Sequence, residues 1–251
     1  MISVVILTKN SQKTLKKTLM SVSEIDEVII IDTGSSDETL NIAKKFKNVK
    51  IFHSEFLGFG YLRNFGSKKA KNDWILALDS DEIISKTLEE EILKMILKNN
   101  LKRKHIYSIP FLNFFNGKKI KFCGWHKEKH IRLYNKKDTK FDEKLVHEGI
   151  VKKKLNVENL ENYINHYSYL CIDDFIKKMQ RYTSLFAKQN ENKKKSSIFK
   201  AIFHMLFAFL KSYIIKRGIF GGKEGFIISF HNAICAYYKY LKLDECNKKC
   251  F

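Results

Sequence analysis

Residues 73–82 read DWILALDSDE: five apolar residues, Trp74 to Leu78, delivered abruptly into Asp79, Ser80, Asp81 and Glu82. A run that short and that apolar fits a strand buried on both faces, as strands of a parallel sheet are. Three further runs of this kind lie upstream, ISVVILT (2–8), EVIIID (27–32) and VKIFHS (49–54). Helical patterns separate them, the first with Leu15, Leu19 and Val22 on one face, so the order is that of repeated βαβ units. Asp32 and Asp79 then fall at the carboxyl ends of two strands, the edge at which open α/β sheets bind ligands. After the second strand, Thr33-Gly34 turns the chain. Ser35 and Glu38 have capping-box spacing for a helix through Phe46, which would leave backbone N–H groups of that turn facing a ligand. Gly58-Phe59-Gly60 opens another helix, which carries Arg63 and Asn64.

Beyond a helix expected over about 86–100, the pattern becomes aromatic-rich and alternating: HIYSIPFLNFF (105–115), KIKFCGW (119–125), HIRLYN (130–135) and VHEGIV (146–151). These read as shorter, partly antiparallel strands forming a second wall, and the sole proline, Pro110, points to an edge strand or a bulge. From Cys171 onward the chain reads as helices, with breaks near 190–197 and 218–225. The expected fold class is α/β, a mainly parallel sheet flanked by helices, with a C-terminal helical extension. The expected division is a catalytic domain over 1–170 and a basic helical extension over 171–251.

The chain has 251 residues, 44% of them apolar, enough for one sizeable α/β core plus an appendage. Its first residues lack a basic start, a long apolar run and a small-residue cleavage site, so a cytoplasmic protein is expected. Five scattered cysteines, without a CxxC pair, are expected to be reduced packing residues. The net charge of +20 is uneven: residues 1–100 carry 15 Lys+Arg against 14 Asp+Glu, whereas residues 101–251 carry 32 against 13. A basic face of that size attracts polyanions. Nucleic acid, anionic lipid and phosphorylated glycolipid all qualify; a lysine-rich solvated surface would explain the count but not the asymmetry, and the partner expected is an anionic membrane surface, not nucleic acid.

Asp79 and Asp81, sent to one face by strand alternation, suit a hard divalent cation such as Mg2+ or Mn2+ that also holds phosphate oxygens. The same letters make common turns and helix caps; what favours the metal reading is the strand that delivers them to the ligand edge. Arg63 could hold phosphate or be an ordinary helix residue, and Asp32 could accept from a nucleobase or cap its own turn. Trp125 could stack on a sugar or pack a core. His126, Lys127, Lys129, His130 and Arg132 form a basic strip suited to acceptor phosphates, Arg132 on the same face as His130. In IFKAIFHMLFAFLKSYII (198–215), Lys200, His204 and Lys211 draw a narrow polar stripe on an otherwise apolar helix. That pattern fits a helix lying in a membrane interface, with a core or dimer helix as the competing account.

ILTKN, EVIIIDTGSSDET, GFGYLRNFG and WILALDSDE, in this order, resemble family 2 glycosyltransferases of the GT-A, Rossmann-like fold. GW (124–125), HIRLYN, KLVHEGI, HYSY, KKMQRYTSLFAK and the stretch GKEGFIISFHNAICAYYKYLKL resemble the branch that builds the lipopolysaccharide inner core, including β-1,4-glucosyltransferases acting on heptose. The resemblance spans about residues 2–244. It implies that Thr8, Lys9, Asn10, Asp32, Gly34 and Ser35 border the nucleoside of a UDP-sugar, that Arg63 and Asn64 sit near ribose or phosphate, and that Asp79, Ser80 and Asp81 form the DXD metal motif. Relatives often follow Gly-Trp with Tyr-Pro; here Gly124-Trp125-His126-Lys127 alters the loop expected to meet the acceptor.

An inverting transfer needs one base opposite the leaving diphosphate, with a metal in place of a general acid. Glu148 is the candidate base and His147 a metal or phosphate contact; the alternative is an exposed strand residue beside a wall histidine. The activity expected is inverting transfer of a hexose, glucose as the leading candidate, to an inner-core heptose on a lipid-linked acceptor. Transfer to a polyprenyl phosphate is the runner-up, and a non-catalytic basic membrane- or nucleic-acid-binding module is the reading from another class.

Overall fold

Strands β1 (Ile2–Thr8) and β2 (Glu27–Asp32) are buried along their entire lengths, the mark of strands covered by helices on both faces. In the computed structural model, which describes residues 1–143 and 148–248, with Lys127 described by its backbone alone, they pair in parallel with β3 (Val49–His53) and β4 (Trp74–Asp79). The sheet continues through β5 (Glu82–Ile84), β6 (His105–Phe115), β7 (Lys118–Lys119), β8 (His126–Asn135), β9 (Asn156–Asn159) and β10 (Ile164–Tyr169), in the order β3-β2-β1-β4-β8-β6-β10-β5, with β7 and β9 both on β6. The four-strand parallel block is as the apolar runs require. From β4 to β8 the pairing turns antiparallel, so the sheet is mixed.

The helices are α1 (Leu15–Met20), α2 (Thr39–Ala43), α3 (Phe59–Lys69), α4 (Lys86–Leu97), α5 (Ile172–Asn190), α6 (Ile198–Leu210) and α7 (Gly222–Lys248). Two compact units result, Met1–Leu112 with Glu128–Tyr167, and Asn113–Lys127 with Ser168–Phe251. In the first, alternate residues of the parallel strands feed opposite layers. Ile2, Val4 and Ile6 join Leu15 and Leu19 on one side, while Val5 and Leu7 join Leu62 and Ala70 on the other. Gly66 is needed where α3 crosses β1, since a Cβ there would lie 2.4 Å from a Val5 methyl.

Three local expectations require correction. The Ser35–Glu38 capping box does not form: α2 begins at Thr39, and the Ser35 hydroxyl donates to Asp32 Oδ1 at 2.5 Å. A buried carboxylate three residues back outcompetes the cap. Helix α4 ends at Leu97, and its cap Ser85 accepts from Leu88 N–H. Pro110 sits in β6, an internal strand between β8 and β10 rather than an edge, but the pairing with β9 stops at Ser108.

The second unit is built on an aromatic cluster. Phe115, Ile120, Cys123, Phe175 and Ile228 form its buried centre, with Trp125 stacked on Tyr169 at 5.5 Å. His231 of α7 lies 4.1 Å from the Phe175 ring, and burial lowers its pKa to about 4. Because this histidine titrates lower folded than unfolded, the unfolded chain binds the extra proton between about pH 6.5 and 4. Stability from this group is therefore complete above that window and lost as pH falls through it. The expected penalty at pH 4 is about 3 kcal/mol at most, and His231→Gln should flatten the acid limb of thermal melts recorded between those pH values. An unchanged limb would assign acid sensitivity to other groups. The cysteines Cys123, Cys171, Cys235 and Cys246 are free thiols; Cys250 lies outside the described residues.

Candidate active site

The register places Thr8 opposite Asp32 and Leu7 opposite Asp79, so the ends of β1, β2 and β4 share one edge. The loops leaving that edge are tied together. Asn10, with positive φ of 50°, donates its N–H to Ser35 Oγ at 2.9 Å and accepts Ser36 N–H on Oδ1 at 2.8 Å. Lys9 beside it is exposed. Ser80 Oγ meets Ser11 Oγ at 2.7 Å, and the Ser80 carbonyl accepts from Thr18 Oγ1. Asp32 is 1% exposed and folds its own turn, accepting from both Gly34 N–H and Ser35 N–H at 3.0 Å. Of the two roles open to Asp32 in the sequence, the structure shows the turn cap, and the N–H groups expected to be free are engaged by it.

The charged centre consists of Arg63, Asp79, Glu82, Arg132 and Glu148. Arg63, 2% exposed, donates from Nη2 to Asp79 Oδ1 at 2.9 Å and from Nε to Glu148 Oε1 at 3.1 Å. Arg132 donates to Glu82 and lies 3.5 Å from Asp79 Oδ2. His130 and Arg132 both rest on the Phe111 ring, so the expected alternation along β8 holds. Burial pushes the Asp79 carboxyl up, but Arg63 and Arg132 outweigh it and leave its pKa lowered. For Glu82, burial wins and the pKa is raised despite Arg132. Burial also works against the Arg63 charge, and the facing carboxylates overcome it.

Helix α3 aims this cluster. Gly60 lets the chain at Asp142 approach so closely that a Cβ would lie 1.8 Å from the Asp142 carbonyl. Asn64 then clamps Phe141, donating to its carbonyl and accepting its N–H, both at 2.9 Å. Both the oxygen and the nitrogen of the Asn64 amide are thus engaged on the Phe141 backbone. Glu148 has a side chain 13% exposed. Its Oε1 is held by Arg63, and among the described residues no hydrogen bond to Oε2 is recorded. His147 lies outside the described residues.

Asp81 follows β4 in the turn to β5, with His166 Nε2 3.6 Å from its Oδ1. Glu82 and His166 are register partners on β5 and β10. No role for Glu82 or His166 is legible in the sequence, because nothing local signals that β10 returns beside β5. Among the described residues no group of three His, Cys, Asp or Glu side chains encloses a metal. Mg2+ and Mn2+ do not require one: a carboxylate or two, with the rest from phosphate and water, is a common arrangement for such ions. Asp81 offers such a carboxylate, with the His166 imidazole as a nitrogen donor beside it, whereas the Asp79 carboxylate is shared between two arginines. Trp125 packs in the aromatic cluster of the second unit, its carbonyl accepting from Asn113, and His126 is exposed.

Among the described residues, the buried side-chain nitrogens and oxygens without a hydrogen-bond partner are Thr8 Oγ1, Arg63 Nη1 and Arg132 Nε. All three belong to this one edge. Buried polar atoms are nearly always paired in folded proteins, so three without partners at one strand edge make that edge the candidate site for a polar ligand.

Parallel order β3-β2-β1-β4, an antiparallel second wall and a charged carboxyl edge together define an α/β fold of the GT-A class. The chain belongs to glycosyl transferase family 2, whose model matches residues 3–151. It is 32% identical to a glycosyltransferase of Rickettsia typhi, over 99% of this chain and 88% of that protein. It is 24% identical to the lipopolysaccharide core biosynthesis glycosyltransferase LpsC of Rhizobium meliloti, over 96% of this chain and 91% of that one. Among solved structures, S. aureus TarS 1-349 in complex with UDP-GlcNAc is 17% identical with a TM-score of 0.48, covering 98% of this chain and 89% of that chain.

Proposed function

We propose that this family 2 enzyme transfers a hexose, glucose as the leading candidate, from a UDP-sugar to a heptose of a lipid-linked lipopolysaccharide inner core, with inversion, at the inner face of a bacterial membrane. The observation that carries the reading is the Arg63-centred cluster, which joins a carboxylate suited to base work to a DXD edge with unsatisfied buried donors. Likeness to LpsC along nearly the whole chain supports the core-saccharide acceptor.

Thr8, Lys9, Asn10, Gly34 and Ser35 border the nucleoside in this reading, with Asp32 acting through the turn it folds. Asp81 and His166 would hold a divalent ion, which when bound neutralises charge on the leaving diphosphate. Arg63 and Arg132 turn their unpartnered nitrogens toward phosphate oxygens. Glu148 takes the proton from the acceptor hydroxyl as its oxygen bonds the anomeric carbon and the bond to diphosphate breaks. Arg63 orients that carboxylate through its Nε–H. Trp125, His126 and His147 remain candidate acceptor contacts.

Asp81→Ala removes a hard oxygen donor while leaving the buried arginine cluster whole. UDP-sugar turnover that depends on Mn2+ or Mg2+ should fall on the order of a hundredfold or more, with an unchanged melting temperature. If chelator leaves wild-type turnover intact, the metal assignment is wrong.

A further inference from the structure

Helix α6 is amphipathic the wrong way round for a soluble protein. The inner side of α6 and of the Lys211–Ile215 turn that continues it is small or polar: Ala201 and Ser212 are buried, His204 stacks on Tyr240 of α7 at 4.0 Å, and Ser212 accepts from Ser229 and Asn232. Its outer side is apolar and exposed. Phe199 is 81% exposed, Phe203 66% and Ile215 71%, and with Phe207, Leu210 and Ile214 they follow the three-to-four-residue spacing of one helix face. The polar stripe drawn by Lys200, His204 and Lys211 thus turns its histidine toward α7. What is left outside is a continuous apolar band, far beyond the scattered apolar residues of an ordinary surface.

The band ends at a tip. Lys211–Ile215 winds as a π turn, Arg217 takes positive φ of 59°, and Gly218–Gly221 makes one 3-10 turn before α7. That turn pushes Phe220 out to 83% exposure. Its shape is fixed from behind by the 118–125 segment: Cys123 N–H donates to the Lys216 carbonyl at 2.8 Å, and a Cβ on Gly221 would strike the Phe122 ring. Between tip and segment lies an open cleft of about 690 Å³ lined by Lys119, Lys121, Phe122, Arg217 and Phe220. From residue 193 to 223 there are eight Lys or Arg and no Asp or Glu. The unit as a whole carries 20 Lys+Arg against 6 Asp+Glu.

We infer that this face docks on an anionic phospholipid surface, α6 lying in the interface and the Gly218–Gly221 tip inserted, with Lys121 and Arg217 binding a headgroup phosphate in the cleft. The charge sign selects anionic lipid, and the apolar band selects a bilayer over a soluble polyanion. Cations rim the cleft beside exposed Phe220, which is what a phosphate joined to acyl chains requires. Spanning the bilayer is a poorer fit, because it would strip α6 from the α7 partners of His204 and Ser212. The inference extends the membrane part of the proposed function but stands on the second unit alone, so it is tested apart from sugar transfer.

The test is co-sedimentation of the full chain with vesicles of phosphatidylcholine alone or mixed with phosphatidylglycerol, beside UDP-sugar hydrolysis and melting temperature. Binding should need phosphatidylglycerol, weaken with salt, and resist inorganic phosphate at matched phosphate concentration. Each cation near an anionic surface is worth enough that Lys121→Gln with Arg217→Gln should weaken binding about thirtyfold. Phe220→Ser, at a site 83% exposed, should weaken it at every salt concentration with the melting temperature unchanged. Hydrolysis should not change in either variant. Binding unaffected by the double substitution overturns the cleft. Equal binding to pure phosphatidylcholine, resistance to alkaline carbonate, or a lipid-free dimer abolished by Phe220→Ser overturns the docking surface. Failure of hydrolysis in the wild type would count against the sugar-transfer reading and leave the vesicle result standing.

Discussion

Arg63→Met is expected to destabilise the folded protein by about 3 kcal/mol at neutral pH, the low end for breaking a buried ion pair by removing one partner. The guanidinium is 2% exposed and, among the described residues, it alone joins Asp79 to Glu148. Without it Glu148 loses its recorded partner, and Asp79 and Glu82 share Arg132. Methionine refills the stem volume against Phe141, so packing loss stays small and the charge effect dominates. The sign with pH follows from Asp79. In the wild type its pKa is lowered, so its contribution is present above the ordinary carboxylate range and is lost as pH falls through the folded value. In the variant Arg132 is shared with Glu82, so the folded value of Asp79 moves back up towards the ordinary carboxylate range, and the loss is greatest at neutral pH and shrinks in acid. Melting temperatures should differ on the order of 10 °C at pH 7 and converge in acid. A constant difference across that range would mean that packing, not charge, was removed.

The parts of this molecule legible in sequence are those with local causes. β1, β2 and β4 are read from apolar runs because a parallel strand buried on both faces has no polar positions to hide the pattern. The carboxyl-edge placement of Asp32 and Asp79 follows from where those runs end. What escaped depends on chain segments far apart. Glu82 and His166 meet only because β10 returns beside β5, and no residue near either announces it. The clamp of Asn64 on Phe141, 77 residues away, likewise has no local sign in the sequence. The Ser35 capping box failed for a nearer reason: Asp32 is buried and requires donors, and Gly34 and Ser35 are the closest. The 113–127 segment reads as more of the second wall, but its Ile120, Cys123 and Trp125 belong to the aromatic cluster around Phe175. In α6 composition gave the greasy face, whereas only the contacts with α7 show which side is turned outward.

Glu148→Gln is expected to lower transfer about a thousandfold while leaving UDP-sugar binding and melting temperature near wild type. Four carboxylates compete for the role of base, and their surroundings separate them. Asp79 is held by two arginines, which keep its pKa low and its oxygens occupied. Glu82 is buried, accepts Asp79 N–H on Oε2, and has its pKa raised by that burial. Asp81 faces His166, a pair suited to a divalent ion. Glu148 has one oxygen anchored by Arg63 and the other with no recorded bond among the described residues, so it can be aimed and still accept a proton. The glutamine amide keeps the Oε1 acceptor for Arg63 Nε, and the anchor survives while proton acceptance is lost. The loss should therefore fall on kcat for transfer, with donor affinity untouched, and slow UDP-sugar hydrolysis by water should suffer less than transfer to a core acceptor if the acceptor hydroxyl is what Glu148 deprotonates. Transfer at near wild-type rate in this variant would move the base to another residue. A parallel loss of donor binding would instead show that Glu148 serves the nucleotide side of the site.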